Sequence, residues 1–383
     1  MPRYLLHCSA DSFTCYCQAH TQVFQLLPNR KLNLFSTVFF VTHTFPFFAS
    51  LSRTFFSIER YKKAPRAVRG SLSVSFDGIE EAASCGWHHS CIKHFFGTTR
   101  LPEITISNEA LEWIANETIS KGYTVPGVQK KLSLHLSKEE KARLTLVGYP
   151  SGYILKPQTN EYRALPEAEQ MIMCMADAAG ITTVPHGLIQ SDGTYAYITK
   201  RVDRMVLPDQ SIRLLAMEDF CQLTYRLTND KYQSSYERCA KVIDRWSSQK
   251  GLDMAEFFIR IVFSFLVGNS DMHLKNFSLL ETAPGSQEFM LSPAYDMLPV
   301  NIVSTDTEET ALALNGKKSN LRKKDFFALA AACHLSSAAA EKMIENLIKK
   351  VDVLISIAEH AEIPNDIRQA CIALLIERAA VFA

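Results

Sequence analysis

Asp271, His273, Lys275 and Asn276 fall together in the run GNSDMHLKNFSLL. A carboxylate, an imidazole, an ammonium and an amide so closely spaced can accept a proton, hold an anionic oxygen and bind a cation. They follow directly on FFIRIVFSFLVG, which is apolar almost all round and reads as a central buried helix. A chain that leaves a buried helix into such a cluster builds either a site or a solvated polar turn. The five-residue step from Asp271 to Asn276 suits phosphoryl transfer, in which the aspartate takes a hydroxyl proton and the asparagine holds Mg²⁺.

Three further parts would complete that chemistry. Asp296, in LSPAYDMLPV, follows a strand over EFMLS and a turn at Pro293, where a second metal ligand is needed. Mg²⁺ is a hard cation held by one or two protein carboxylates plus phosphate oxygens, and Asn276 with Asp296 would supply the protein's share. Taken alone, Asp296 is an ordinary strand-end acid. Lys156, in YILKP, is a lysine in an apolar strand, costly unless its head is paired or faces a cleft. Glu167 and Glu169 lie on the following helix, and Glu169 is the expected partner; the alternative is a strand-edge lysine reaching water. Gly122 and Gly127 enclose four residues. Val128 stands where a phosphate-loop lysine would be, so this is no Walker A loop, although its backbone N–H groups could still meet phosphate.

The elements that must position these residues change character along the chain. Residues 108–121 read as an amphipathic helix with Leu111, Ile114 and Ile119 inward. Leu132 to His135 alternate as a strand, and TLVGYPSGYILKP gives two more. Residues 166–181 read as a helix closed by Gly180. VPHGLIQSDGTYAYITKRVDR reads as a hairpin with Asp192-Gly193 at its turn. After Asp203 the pattern is helical, over 216–225, 233–248, 254–268, 324–332, 336–357 and 364–382. A β-rich lobe followed by an α-rich lobe is an α+β arrangement with a cleft between.

Length supports two domains or one bilobal unit in 383 residues. With 47% hydrophobic and 21% charged residues the composition is globular, and a formal net charge of +1 gives no electrostatic reason to expect nucleic acid or membrane binding. Residues 1–70 depart from this, with a net of +7 against −6 for the rest. They include the uncharged stretch LNLFSTVFFVTHTFPFFASLS, long enough for a membrane span. Its central Thr42, His43, Thr44 and Pro46 favour a packed or poorly ordered extension instead, and no function is assigned to 1–70. The ten cysteines are scattered, as in a reduced cytosolic protein. Cys85, His88, His89, Cys91 and His94 could offer zinc ligands, but a closed site would need a second half that only Cys15 and Cys17 could supply. The favoured reading is a small packed linker over 71–107 with surface histidines.

In order, GVQKKLSL, YILKP, LPEAE, ITKRVDR, MEDFCQ, NSDMHLKNFSLL and AYDMLP resemble the HipA family of bacterial toxin kinases over about 108–383. The short region before them is similar to HipT-type proteins. The resemblance implies a bilobal protein-kinase-like fold, with a β-rich N-lobe over 108–204 and an all-helical C-lobe over 205–383. It implies ATP and Mg²⁺ as cofactors and Ser/Thr phosphorylation of a protein substrate such as an aminoacyl-tRNA synthetase. It implies a HipB-like helix-turn-helix antitoxin, a small HipS-like protein, DNA contact only through the antitoxin, a cytoplasmic location and no membrane partner. By the same resemblance Asp271 is the base, and His273 and Lys275 complete its loop with Lys275 toward the γ-phosphate. Asn276 and Asp296 hold metal, and Lys156 with Glu169 serves the phosphates. Gly127, Val128 and Gln129 belong to the nucleotide loop, and Arg201, Val202 and Asp203 to the adenine-binding hinge. Thr124 stands where the family carries a regulatory serine, and Pro126 fills the second such place. A small-molecule kinase of the same fold, or a nucleotide-binding interaction module without catalysis, are the alternatives.

Overall fold

The computed structural model describes residues 87–104, 131–137, 143–145, 152–191, 194–206, 212–304 and 307–383. The expected helix 108–121, the glycine-bounded loop with Thr124, Gly127, Val128 and Gln129, Cys85 and residues 1–70 lie outside them.

A short helix, α1 (His89–Phe96), covers one face of a six-stranded sheet. The strands are β1 (Glu103–Ile104), β2 (Leu132–Ser137), β3 (Arg143–Thr145), β4 (Tyr153–Pro157), β5 (His186–Ser191) and β6 (Thr194–Lys200), in the order β1-β3-β2-β4-β6-β5. Only β1–β3 is parallel. Trp87, Ile92, Phe95 and Phe96 pack on Leu132, Leu134, Leu155 and Ile198 as one apolar cluster. Two hydrogen bonds fix the helix there: Trp87 Nε1 donates to Leu188 O (2.8 Å) and Tyr153 Oη to Phe95 O (3.1 Å). Residues 87–97 are thus the lid of the N-lobe core. Cys91 is buried in that lid, 3.8 Å from His88 Nδ1. Among the described residues no three His, Cys, Asp or Glu side chains converge on a metal position.

Strand alternation decides what faces the other way. Leu155 and Ile198 pair across β4 and β6 and point to α1; their neighbours Lys156 and Tyr197 also pair, and Tyr197 joins the main core on the opposite face. That face is covered by α2 (Leu165–Ala179), which carries Pro166 in its first turn and is closed by Gly180 at φ 91°. The N–H of Gly180 meets the last-turn carbonyls of Ala176 and Asp177.

The second lobe opens with a small hairpin, β7 (Arg204–Val206) and β8 (Ile212–Leu214), then β9 (Met217–Asp219) and α3 (Phe220–Leu223). Next come α4 (Tyr236–Trp246), α5 (Lys250–Leu266), β10 (Ser278–Glu281), β11 (Phe289–Leu291) and α6 (Val300–Val303). It ends with α7 (Lys323–Ala332), α8 (Ser337–Ile348), α9 (Val351–His360) and α10 (Asn365–Ala380). The α+β, two-lobed architecture stands, but the C-lobe is not all-helical: β10 pairs antiparallel with both β9 and β11. The segment read as helix 216–225 therefore begins as a strand, because Met217–Asp219 finds a ladder partner in Ser278–Leu280. The segment read as helix 336–357 breaks at Lys349–Lys350, where Lys350 Nζ reaches Ala179 O at the end of α2 (2.7 Å).

The central α5 has Phe257, Phe258, Ile261, Val262, Phe263 and Leu266 fully buried, as its apolar sequence requires. It anchors a core that runs from α2 through α4 to α7–α10. The six described cysteines are buried free thiols. Among the described residues no helix is long and apolar enough to cross a membrane.

Candidate active site

The chain leaves α5 at Gly268, whose φ of 74° sits in the left-handed region that glycine adopts without strain. It then threads Asn269, Ser270 and Asp271 under the cleft and turns through a 3-10 turn at Leu274–Asn276. Three hydrogen bonds hold this loop from below: Tyr236 Oη to Met272 O (3.1 Å), Leu274 N to Lys231 O (3.2 Å) and Tyr295 Oη to Lys275 O (3.1 Å). The Asn276 amide donates to Asp271 O at 2.9 Å, leaving its own carbonyl oxygen as the acceptor it can offer elsewhere.

Asp271 accepts a hydrogen bond from Tyr232 Oη at 2.6 Å on Oδ1. Burial raises its pKa, opposed by that hydroxyl and by Lys231. His273 is buried and its Nδ1 has no hydrogen-bond partner among the described residues. Burial, with Lys231 adding repulsion, pushes its pKa down to about 3, so the ring is neutral. Tyr232 stands edge-on to it, with ring centroids 5.1 Å apart.

Across the cleft, Lys156 joins two carboxylates. Its Nζ lies 2.5 Å from Glu169 Oε1 and 2.5 Å from Asp296 Oδ1. Lys131 binds the other oxygen of Asp296 at 2.7 Å. Burial would strip the proton from Lys156, but Asp296 and Glu169 reverse this and hold its pKa above the ordinary value. Burial likewise acts to raise Asp296, and the two lysines overcome it, keeping that carboxylate far below its usual range. Glu169 is lifted by burial to about 7, against the pull of Lys156. Glu169, rather than Glu167, is the partner because it lies on the face of α2 turned to β4. Asp296 itself is held at φ 60°, an uncommon conformation for a non-glycine residue and a frequent mark of functional positions. Ala294, two residues earlier, fixes its approach by exchanging backbone hydrogen bonds with Thr182 (2.7 Å) and Val184 (3.0 Å).

The remaining expected residues fall nearby with their own partners. Lys275 Nζ donates to Asp219 Oδ2 at 2.6 Å, where β9 meets α3. Arg201, Val202 and Asp203 form the passage from β6 to β7; Arg201 N donates to Gly152 O (2.9 Å) and Asp203 O accepts from Leu215 N (3.1 Å). The Asp203 carboxylate is taken by Arg201 (2.7 Å) and Arg204 (2.6 Å), which hold its pKa below the usual range in spite of burial. Four contributors were not assigned from sequence: Lys131, Asp219, Tyr232 and Arg204. The paired lysines of GVQKK and the acid of MEDFCQ were visible there without a role. Nothing local marks Tyr232, which reaches Asp271 only through the tertiary fold.

The Asp296 carboxylate and the Asn276 amide oxygen are oxygen donors of the kind a hard cation takes, and both Asp296 oxygens are engaged by Lys156 and Lys131. The buried Lys156 beside Asp296 suits an anion such as a phosphate.

Residues 123–355 match the family model of the HipA-like C-terminal domain, more than half of the chain, and the chain belongs to that family. It is similar to the protein named "Putative kinase Y4dM" of Sinorhizobium fredii, 32% identical over 232 residues, which are 56% of this chain and 54% of that protein. It is also similar to the "Putative kinase" of Haemophilus influenzae, 29% identical over 228 residues, 56% of this chain and 63% of that one. The chain spans about half the length of the curated relatives it matches. Among solved structures it shares the fold of the Shewanella oneidensis toxin–antitoxin system HipA, HipB and operator DNA complex. There the TM-score is 0.56 at 20% identity, covering 67% of this chain and 64% of the other.

Proposed function

We propose that the chain is an ATP- and Mg²⁺-dependent kinase that phosphorylates a serine or threonine hydroxyl of a protein. The observation that carries this reading is the convergence of Lys156 with Glu169 and Asp296, on the face of the sheet that α2 covers. Membership of the HipA-like family supports it. Asp271 takes the acceptor hydroxyl's proton on its Oδ2. The acceptor oxygen then forms a bond to the γ-phosphorus, and the bond to the β–γ bridging oxygen breaks, its electron pair leaving with ADP. Lys156 holds phosphate oxygens while Glu169 keeps its head in place. Asn276 and Asp296 would hold Mg²⁺, which supplies neutralisation of the phosphate charge when bound. The neutral His273 packs behind the base. Lys275, anchored by Asp219, borders the transferred group. Gly127, Val128 and Gln129 cover the phosphates, Arg201, Val202 and Asp203 meet the base and ribose, and Thr124 is a place for self-phosphorylation.

The fold shared with HipA in a complex with HipB supports a toxin role with a HipB-like antitoxin as partner; a HipS-like small protein is a further partner that the resemblance to HipT-type proteins implies. DNA would then be reached through the antitoxin, and an aminoacyl-tRNA synthetase is the substrate class to test first. Six buried free thiols suit the reducing cytoplasm. The test is purified chain with Mg²⁺ and γ-labelled ATP, offered a panel of aminoacyl-tRNA synthetases and lysate proteins. Label on a Ser or Thr that vanishes with Asp271→Asn supports the reading. Nucleotide binding without transfer to any protein overturns it.

A further inference from the structure

Tyr232 belongs to two features at once. Its hydroxyl touches Asp271, and its ring walls an open cavity of about 470 Å³ shared with Ser235, Glu237, Arg238 and Gly316. The cavity therefore starts beside the proposed base, on the C-lobe side. The lining carries one carboxylate and one guanidinium, and the two differ in how they are engaged. Glu237 is the single carboxylate in the lining, and its Oε1 already accepts the N–H of Asn315 at 2.7 Å. Arg238 is exposed, and among the described residues its guanidinium meets no carboxylate. Lys231 lies 4.8 Å over the Tyr232 ring and likewise has no ion-pair partner among them. Two cations without an ion-pair partner among the described residues thus lie at one aromatic wall, Lys231 close enough to Asp271 to act on its carboxylate.

A nucleotide does not account for this charge, because its phosphates go to Lys156. What remains to be placed next to Asp271 is the chain that bears the hydroxyl. An extended polypeptide sets side chains about 3.3 Å apart along its length, so a residue one to three positions from the acceptor reaches this cavity. We propose that the cavity receives the residues flanking the acceptor hydroxyl, and that Arg238 and Lys231 select an acidic side chain there. This rests on the protein-kinase reading above.

A positional peptide library with a central Ser or Thr, incubated with the full chain and Mg-ATP, tests the pocket. The wild type should favour Asp or Glu over Lys at a flanking position by roughly threefold to tenfold, the size of one or two half-exposed ion pairs. Arg238→Glu should lose that preference and turn it toward Lys or Arg at the same position, which also shows that the variant folds. A flat preference in the wild type, or an unchanged one in Arg238→Glu, overturns the pocket assignment while leaving the kinase reading in place. Absence of transfer to every peptide and to every protein, by a chain that binds Mg-ATP, overturns the kinase reading and the pocket with it.

Discussion

Lys156 and Asp296, 140 positions apart in the chain, meet at 2.5 Å, and Glu169 closes on the same ammonium from α2. One side chain thereby ties β4, α2 and the segment after β11 into a single constellation.

Removing that ammonium leaves carboxylates facing each other in a largely dry site. Lys156→Met should destabilise the fold by about 3–5 kcal/mol, the usual cost of an uncompensated buried charge. Adding Glu169→Leu should restore much of that stability without restoring nucleotide binding. Urea unfolding midpoints and calorimetric ATP titrations of the single and double variants check both halves.

Asp271→Asn keeps the shape of the loop and the Tyr232 contact but cannot take a proton. Transfer should fall by about 10² to 10⁴-fold, while ATP affinity stays within a small factor. Stopped phosphotransfer assays beside equilibrium binding separate the two effects.

His273 gives a pH signature. Its folded pKa of about 3 lies below the ordinary 6.5, so only the unfolded chain takes up its proton as pH falls. The stability it contributes is complete above about 6.5 and is lost as pH drops toward the folded value, with a slope of up to about 1.4 kcal/mol per pH unit. His273→Asn should flatten that part of the profile between pH 6 and 4. Denaturant unfolding at stepped pH shows whether it does.

Gly268→Ala tests the exit from α5. A Cβ there would approach Leu374 Cδ2 to 2.6 Å, and the φ of 74° strains any side chain. The leucine tip can swing aside, so the backbone carries the cost of about 1–2 kcal/mol. Leu374→Ala in the same chain should therefore not rescue it, as thermal melts of both variants would reveal.

Trp87→Ala removes a fully buried ring and a hydrogen bond from the lid of the N-lobe sheet. A loss of about 3–5 kcal/mol is expected, even though Trp87 lies before the family match at residue 123. Chemical denaturation with near-ultraviolet circular dichroism reports it.

Most of the site's members announced themselves locally. Asp271 and Asn276 stood out because polar residues abruptly follow an apolar helix, and Lys156 because a charge interrupts a strand. Strand alternation and the following helix then led from Lys156 to Glu169. What stayed hidden depends on contacts between distant segments. Met217–Asp219 shows no strand signal of its own and becomes β9 only because β10 lies alongside. Tyr232 and Lys131 look like ordinary surface residues until the fold brings them to Asp271 and Asp296. Residues 87–97 read as a small packed linker, and what stayed hidden was the surface they pack on, the apolar face of the six-stranded sheet.

The helix that carries Glu169 is fastened from behind as well as at its tip. Lys350 caps the end of α2, Tyr195 Oη from β6 donates to Glu362 at 2.5 Å, and Arg163 pairs with Asp366 in the first turn of α10. Enzymes that are switched by swinging such a helix spend part of their time with the lysine and glutamate apart, and their apparent nucleotide affinity falls by that fraction. Here the C-terminal helices act as a splint that holds the pair assembled in the resting chain. A movement that swings α2 away from β4 would therefore have to break the Lys350 contact at its end as well as the Lys156–Glu169 pair.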